Sequence, residues 1–549
     1  MMPRTKLLMT LLWMAFIVRG AWYCAVLPPW EGYDEPYHFA ALQHVASEQG
    51  LTHTDTPVSL EVQKSLHLLP VPWELQFQAI PRPLTTHEDF WSLPADERER
   101  RIIAVRGLRP DEGGQAGTEP ILNYEAQQPP LYYWLFAVPL RWMRSLPLLS
   151  RLYLLRLVNV LVASAAIPIA YWIARRVLRS EVQALGVTAI IVLLPELMVN
   201  VARVGNESLA LVCYTAMLSA AVLAVQKPLA WRAWWLMGVA LGCGLLTKAY
   251  VLSAIPGVIV VAAVSLLSTN HEAGKSPRLI PIAIRLGAAL GIAACIAGAW
   301  YARVHAMTGS WTGVTIDAAV RHVSLAGKLA AIPHVNWRSG LLSILISHVW
   351  FGAWSFLRVP IAIYPLAFAL IALAAFGVLR GLLRRRGAPE ERRTIIVLAV
   401  FYLCFWAGLL YEVVIDYMVF GVSASAGWYL YATVAAEAVL LVWGLQAFLS
   451  ARVAISGLAI GLAALDLYGM HALLMPYYTG FTVHVGKDVH PALGATVAHL
   501  PMIFGRLAQL RPDWLNVPAL LTCWLGYWTA TVGTTMAVVR LFRKPSAHV

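Results

Sequence analysis

Residues 30–50 read WEGYDEPYHFAALQHVASEQG, directly after a first apolar segment. Asp34, Glu35 and His38 fall within five positions, among Trp30, Tyr33 and Tyr37. Carboxylates and an imidazole take up protons and ligate cations. At the edge of a low-dielectric layer they are also costly unless something compensates them. Polar groups recur downstream in short motifs. NYEAQQPPLYYWL (123–135) offers the amides of Gln127 and Gln128 ahead of Tyr132, Tyr133 and Trp134. RVGNESLA (203–210) sets Arg203, Asn206 and Glu207 in one tight connection, and GLLTKAY (244–250) holds Lys248, the sole charge from 233 to 269. SHVWFGAWSFLR (347–358) adds His348 and Arg358; SAGWYLYA (425–432) adds Trp428 and Tyr429. Ordinary alternatives exist: Asp34 or Asn206 as a helix cap, aromatics as interfacial anchors, Lys248 snorkelling to the headgroups. Asp34, Glu35 and Glu207 could together supply oxygen ligands to a divalent ion.

Composition locates these groups. A chain of 549 residues, 59% apolar and 13% charged, with many apolar stretches near 20 residues, is a multi-pass membrane protein. Its net charge of +13 does not point to nucleic acid, because the charge is unevenly placed. Residues 28–130 carry 16 acidic against 7 basic side chains, and the basic excess elsewhere lies in short connections between apolar segments, as orientation signals do. The six cysteines (24, 213, 243, 295, 404, 523) sit in apolar stretches without CxxC or zinc-finger spacing. They point to neither a disulfide framework nor a thiolate metal site.

Hydropathy predicts an all-α protein of about twelve membrane helices (11–13), at 7–27, 153–174, 182–201, 207–226, 233–249, 250–268, 279–302, 361–380, 394–414, 428–449, 453–474 and 517–540. The stretches 131–149 and 341–358 are short, aromatic and Pro-flanked, and read as interfacial or re-entrant helices. With those two uncounted, the basic connections ARRVLR (174–179), QKPLAWR (226–232), GKSPR (274–278), LRGLLRRRGAPEERR (379–393) and RLFRK (540–544) share one side. The positive-inside rule assigns it to the cytoplasm, with both termini. The scheme gives a first helix (1–27), retained rather than cleaved, and a first extracytoplasmic loop with interfacial helices (28–152). Membrane helices follow (153–302), then an extracytoplasmic loop and interfacial helix (303–360), then C-terminal membrane helices (361–549) with an outer loop at 475–516. Arg141, Arg144 and Arg151 fall on the outer side, against the trend.

Locally, Asp34 and Pro36 predict a helix from about 35 to 49, stopped by Gly50. Phe39, Leu42 and Ala46 form an apolar face expected on the membrane surface. Pro129 and Pro130 predict extended backbone ahead of Leu131, and the charged stretch 94–120 is expected to be mobile.

Taken in order, an apolar span, DE-P-x-H, QPPLYYWL, R-x-x-N-E-x-L-A and G-x-L-T-K resemble the membrane glycosyltransferases of the GT-C fold. Relatives in that fold include protein O-mannosyltransferases and lipid A aminoarabinose transferases, and the likeness is nearest to a poorly characterised bacterial subset. The motifs cover residues 1–260; beyond them FGAWSF and GWYLY resemble that subset's signatures, with Trp428 where Arg is usual and Glu207 where Asp is commoner. The resemblance implies an inverting enzyme of the bacterial plasma membrane. It would move a sugar from a polyprenyl-phosphate donor to a hydroxyl of a glycan, lipid or protein acceptor on the extracytoplasmic side, in cell-envelope synthesis. It implies Asp34 as general base and Glu35 as its helper in orientation or metal binding. Lys248, Arg203 and Gln128 would meet the donor phosphate, with His38, Tyr132, Glu207, Asn206, His348, Trp428 and Tyr429 around the substrates. A divalent metal would sit at Asp34, Glu35 and Glu207. Two other classes compete: a transporter or lipid-linked-sugar flippase, favoured by Glu437 and Asp466 inside late spans, and an inactive envelope-assembly scaffold, favoured by Trp428.

Overall fold

The computed structural model describes residues 3–53, 55–110, 121–271 and 279–543. Among these the regular structure is helical, apart from one antiparallel hairpin of His484–Val485 with Asp488–Val489. Among the described residues nine helices are long and apolar enough to cross a membrane, and ten if Glu181–Leu193 and Pro195–Val201, bent by 61°, form one span. Pro195 lacks the amide that would continue the first helix, which accounts for the bend. All twelve predicted stretches are helical, but two fall short as spans. Trp231–Leu245 has 15 residues, about 22 Å at 1.5 Å per residue, and Val517–Arg543 is diluted by five threonines. The two interfacial candidates are the helices Leu131–Trp142 and Trp337–Val349, of 12 and 13 residues, each too short to span.

The helix Pro3–Val26 delivers the chain to a turn in which Trp30 and Asp34 take left-handed backbone, with φ of 70° and 57°. The helix Glu35–Ala46 begins there, with Pro36 in its first turn where no amide is needed. It ends before the predicted 49 because Arg141 donates to the carbonyls of Val45 and Ala46 and Glu48 turns left-handed. Arg141 is thereby tied to the protein; Arg151 is likewise spent, in a buried ion pair with Glu61. The apolar face of Glu35–Ala46 is not on the membrane. Phe39 and Leu42 are fully buried, and the helix packs against Leu131–Trp142. Tyr132 and Tyr133 are buried too, leaving Trp134 as the exposed member of the expected aromatic belt.

Pro130 has helical rather than extended backbone (φ −84°, ψ −15°), and the Leu131 amide donates to the Leu246 carbonyl at 2.9 Å. This bond moors the helix after QQPP to the segment carrying Lys248. Part of the stretch expected to be mobile, Ala95–Gly107, is a helix in which Glu97 pairs with Arg100 and Arg101, both at 2.8 Å. Its remainder at 111–120, like 274–278 and Lys544 of the basic connections, lies outside the described residues.

Candidate active site

Asp34 and Glu35 are adjacent in sequence and diverge in space. Glu35 is fully buried: its Oε1 accepts from Arg156 Nε (2.7 Å) and the Val204 amide (2.9 Å), its Oε2 from Arg156 Nη2 (2.5 Å) and the Trp30 amide (3.0 Å). Arg156 also donates to the carbonyls of Leu27 (2.6 Å) and Pro28 (2.7 Å). Glu35 therefore stitches the end of the first helix to the Val204 segment. Asp34 sits at the cap position but makes no side-chain cap bond; its carboxylate instead accepts from the Tyr124 hydroxyl.

The Val204 segment brings in the cations. Arg203 Nη2 meets Glu207 Oε2 at 2.6 Å, and Lys248 Nζ pairs with Glu207 Oε1, so one carboxylate bridges two positive charges. Lys248 does not snorkel. It is 7% exposed, with its ammonium 5.6 and 4.9 Å from the ring centres of Tyr250 and Tyr429. Space is tight beside this pair. A Cβ on Gly205 would stand 2.6 Å from Arg203 Nη1 and 2.9 Å from Glu207 Oε2, and one on Gly32 would collide with the Arg203 side chain.

Asn206 precedes the helix Glu207–Gln226 but does not cap it. Its amide donates to Gln128 Oε1 (3.1 Å) and the Thr247 carbonyl (3.2 Å), tying QQPP to the lysine segment. His38 is buried, with Nδ1 2.8 Å from the Tyr133 hydroxyl and Nε2 3.8 Å from Glu125, too far for a hydrogen bond. Burial holds its pKa well below the ordinary value, so it is a neutral imidazole and not a cation. Burial raises the Asp34 pKa, against the Tyr124 hydrogen bond and the charges of Arg203 and Lys248. Burial and the negative charge of Asp34 push Glu125 up to about 8. Glu125 therefore keeps its proton at neutral pH.

Glu125, Gln128, Lys248 and Tyr429 line a cavity of about 470 Å³ whose walls run over Leu252, Pro256, Phe405, Leu409 and Ile415 and also carry Asp317, Tyr411 and Glu412. A mostly apolar trough with a lysine in its lining suits an amphiphile. Other candidates lie apart from this cavity. Tyr132 faces away, stacked on Phe136 with its hydroxyl accepting from Asn159 at 3.2 Å. His348 Nε2 meets Glu437 Oε1 at 2.6 Å. Trp428 stacks on Tyr33, rings 3.8 Å apart and 4° from parallel. Asp466 is also spent inside the protein, accepting from Arg19 (2.7 Å), Tyr23 (2.5 Å) and Tyr527 (2.9 Å). Among the described residues no three His, Cys, Asp or Glu side chains are placed to hold a metal ion. Asp34, Glu35 and Glu207 do not fit one as a set, since both Glu35 oxygens are taken by Arg156 and both Glu207 oxygens face cations.

Three residues of this region were not singled out by the sequence. Tyr124 and Glu125 stand inside the NYEAQQPP motif, and Arg156 interrupts the apolar run LLRLVNVLV. An isolated charge in such a run signals a buried partner, which here is Glu35.

Residues 132–309 match the family of dolichyl-phosphate-mannose-protein mannosyltransferases. Over that stretch the chain is similar to a family of glycosyltransferases. The matched region holds Arg203, Asn206, Glu207 and Lys248, and leaves Asp34, Glu35 and Gln128 before it. Among solved structures, the chain is similar to ArnT from Cupriavidus metallidurans bound to undecaprenyl phosphate, at 14% identity and a TM-score of 0.38, over 90% of this chain and 75% of that one. It is also similar to the Archaeoglobus fulgidus oligosaccharyltransferase, at 17% identity and a TM-score of 0.33, over 65% of this chain and 44% of that one. No curated protein sequence matches.

Proposed function

We propose that this protein is a glycosyltransferase that moves a sugar from a polyprenyl-phosphate donor to an acceptor hydroxyl, with inversion, at the extracytoplasmic face of the plasma membrane, in making a cell-envelope glycan or glycolipid. The observation that carries the reading is a mostly apolar cavity with Lys248 in its lining, the ammonium lying within the electrostatic reach of Asp34. The isoprenoid tail lies along Leu252, Phe405 and Leu409, and the phosphate lies at Lys248, Arg203 and Gln128. Arg203 and Lys248 share one carboxylate, so the three side chains Arg203, Lys248 and Glu207 carry one net positive charge beside Asp34. The name of the matched family carries a dolichyl-phosphate sugar, which supports the donor class.

In the reaction the acceptor oxygen attacks the anomeric carbon, and Asp34 takes the hydroxyl proton as that bond forms. The bond from carbon to phosphate oxygen breaks, and the polyprenyl phosphate departs as an anion held by Lys248 and Arg203. Its charge makes protonation of the leaving group unnecessary. Tyr124 fixes the orientation of Asp34, while Glu35 and Arg156 hold the turn that presents it.

The test is transfer from a radiolabelled polyprenyl-phosphate sugar by the reconstituted protein. Asp34→Asn should fold and insert normally and lose transfer by about 100-fold or more, the range for a positioned base. Undiminished transfer would remove Asp34 as the base. Movement of lipid-linked sugar across sealed vesicles with no new glycosidic bond would replace the enzyme reading with transport.

A further inference from the structure

The helix Glu207–Gln226 has its first residue in the candidate active site and its last about 30 Å away, at 1.5 Å per residue. At that far end the structure holds a second amphipathic cavity, of about 620 Å³, between this helix, the span Leu148–Leu178 and the helix Trp231–Leu245. Its floor is apolar, formed by Trp172, Leu223 and Leu236 among others, and its rim carries Arg176, Lys227 and Arg232. No acidic residue lines it, and among the described residues none of the three cations makes an ion pair. Arg176 stands 5.0 Å over the Trp172 ring and gives one hydrogen bond to Gln226 (3.2 Å), leaving most of its five donors unused. Leu236 of the floor and Trp235, next to it in sequence, are 46% and 58% exposed.

Three cations brought together from two connections, 174–179 and 226–232, repel one another unless an anion joins them. Orientation of the chain asks only that basic residues lie in the right connections; it does not ask that they converge over one apolar floor. We propose that this cavity binds an anionic phospholipid of the leaflet at the end of the molecule opposite the active site. The phosphodiester lies among Arg176, Lys227 and Arg232, and one acyl chain lies along Leu223 and Leu236. The apolar floor and the exposed Trp235 favour a lipid over a soluble phosphate, because a soluble ligand would leave that surface unmatched. The site is independent of the donor chemistry proposed above.

Native mass spectrometry of the purified full-length protein in detergent tests this, with phosphatidylglycerol titrated against phosphatidylcholine of the same acyl chains. Phosphatidylglycerol should bind about tenfold or more tightly than phosphatidylcholine. The triple variant Arg176→Gln, Lys227→Gln, Arg232→Gln should lose about 100-fold in that affinity, and Lys227→Arg should keep it. Millimolar inorganic phosphate should not displace the lipid. Equal binding of the two lipids by the parent protein overturns the proposal without recourse to any variant. So does a triple variant that keeps its phosphatidylglycerol, or displacement of the lipid by phosphate.

Discussion

Glu35 and Arg156 meet through two hydrogen bonds of 2.7 and 2.5 Å with neither side chain exposed, while the carboxylate one residue earlier turns the other way, to Tyr124. A left-handed backbone at Asp34 separates the two acids. Neighbours that read as a catalytic pair thus have different surroundings: one is neutralised inside the protein, the other stands among groups that face a cavity.

Arg156→Met should therefore act on stability. It leaves the Glu35 carboxylate buried without its cation, which costs about 3–5 kcal/mol. Thermal unfolding in detergent should show a large fall for Arg156→Met, a smaller one for Glu35→Gln and little change for Asp34→Asn. An unshifted midpoint for Arg156→Met would show that the pair does not hold the turn.

Gly205→Ala should disturb the cation cluster from the backbone side. The added methyl would stand 2.6 Å from Arg203 Nη1, so the guanidinium or the carboxylate must move. Overpacking of this kind costs about 1–3 kcal/mol. Gly107→Ala, with nothing within 4 Å of the new carbon, serves as the neutral control. Equal effects of the two substitutions would argue that the site has slack around Arg203.

Glu125 predicts a pH dependence whose sign is fixed. Its carboxyl ionises at about 8 in the folded protein against an ordinary 4.5. Below 4.5 folded and unfolded chains both hold the proton and the group contributes no difference. Between 4.5 and 8 the unfolded chain has released it and the folded one has not, so this group lowers stability as pH rises through that window. Glu125→Gln removes the slope, and its stabilisation relative to the parent should grow from about pH 5 to about pH 8. A difference that stays flat across the same range would place the Glu125 carboxyl at an ordinary value.

The membrane helices were legible because long apolar runs leave few alternatives, and the polar cluster because Arg203, Asn206, Glu207, Gln128 and Lys248 stand in short motifs that helices bring together. What could not be read was which apolar face meets lipid. Phe39 and Leu42 were expected at the membrane and are buried in protein, since lipid and a protein interior select the same side chains. Direction failed for a related reason. Tyr132 sits in the motif beside Gln128 yet faces Asn159, and whether Glu35 would face Asp34 or Arg156 depended on a residue 121 positions away.

Lys248 offers the sharpest separation of donor from acceptor. With Arg203 it shares Glu207, so Lys248→Met takes the cluster from one excess positive charge to none while leaving Glu207 still paired through Arg203 at 2.6 Å. A phosphate bound there loses a charge-assisted contact worth about 1.5–3 kcal/mol, or roughly 10- to 150-fold in affinity. On the proposed reading the acceptor meets Asp34 rather than the cations, and it should bind as before. Lys248→Arg keeps the charge on a longer, planar head and should recover part of the loss. The measurement is the KM for the polyprenyl-phosphate sugar beside that for the acceptor, and a rise confined to the acceptor would put the phosphate elsewhere.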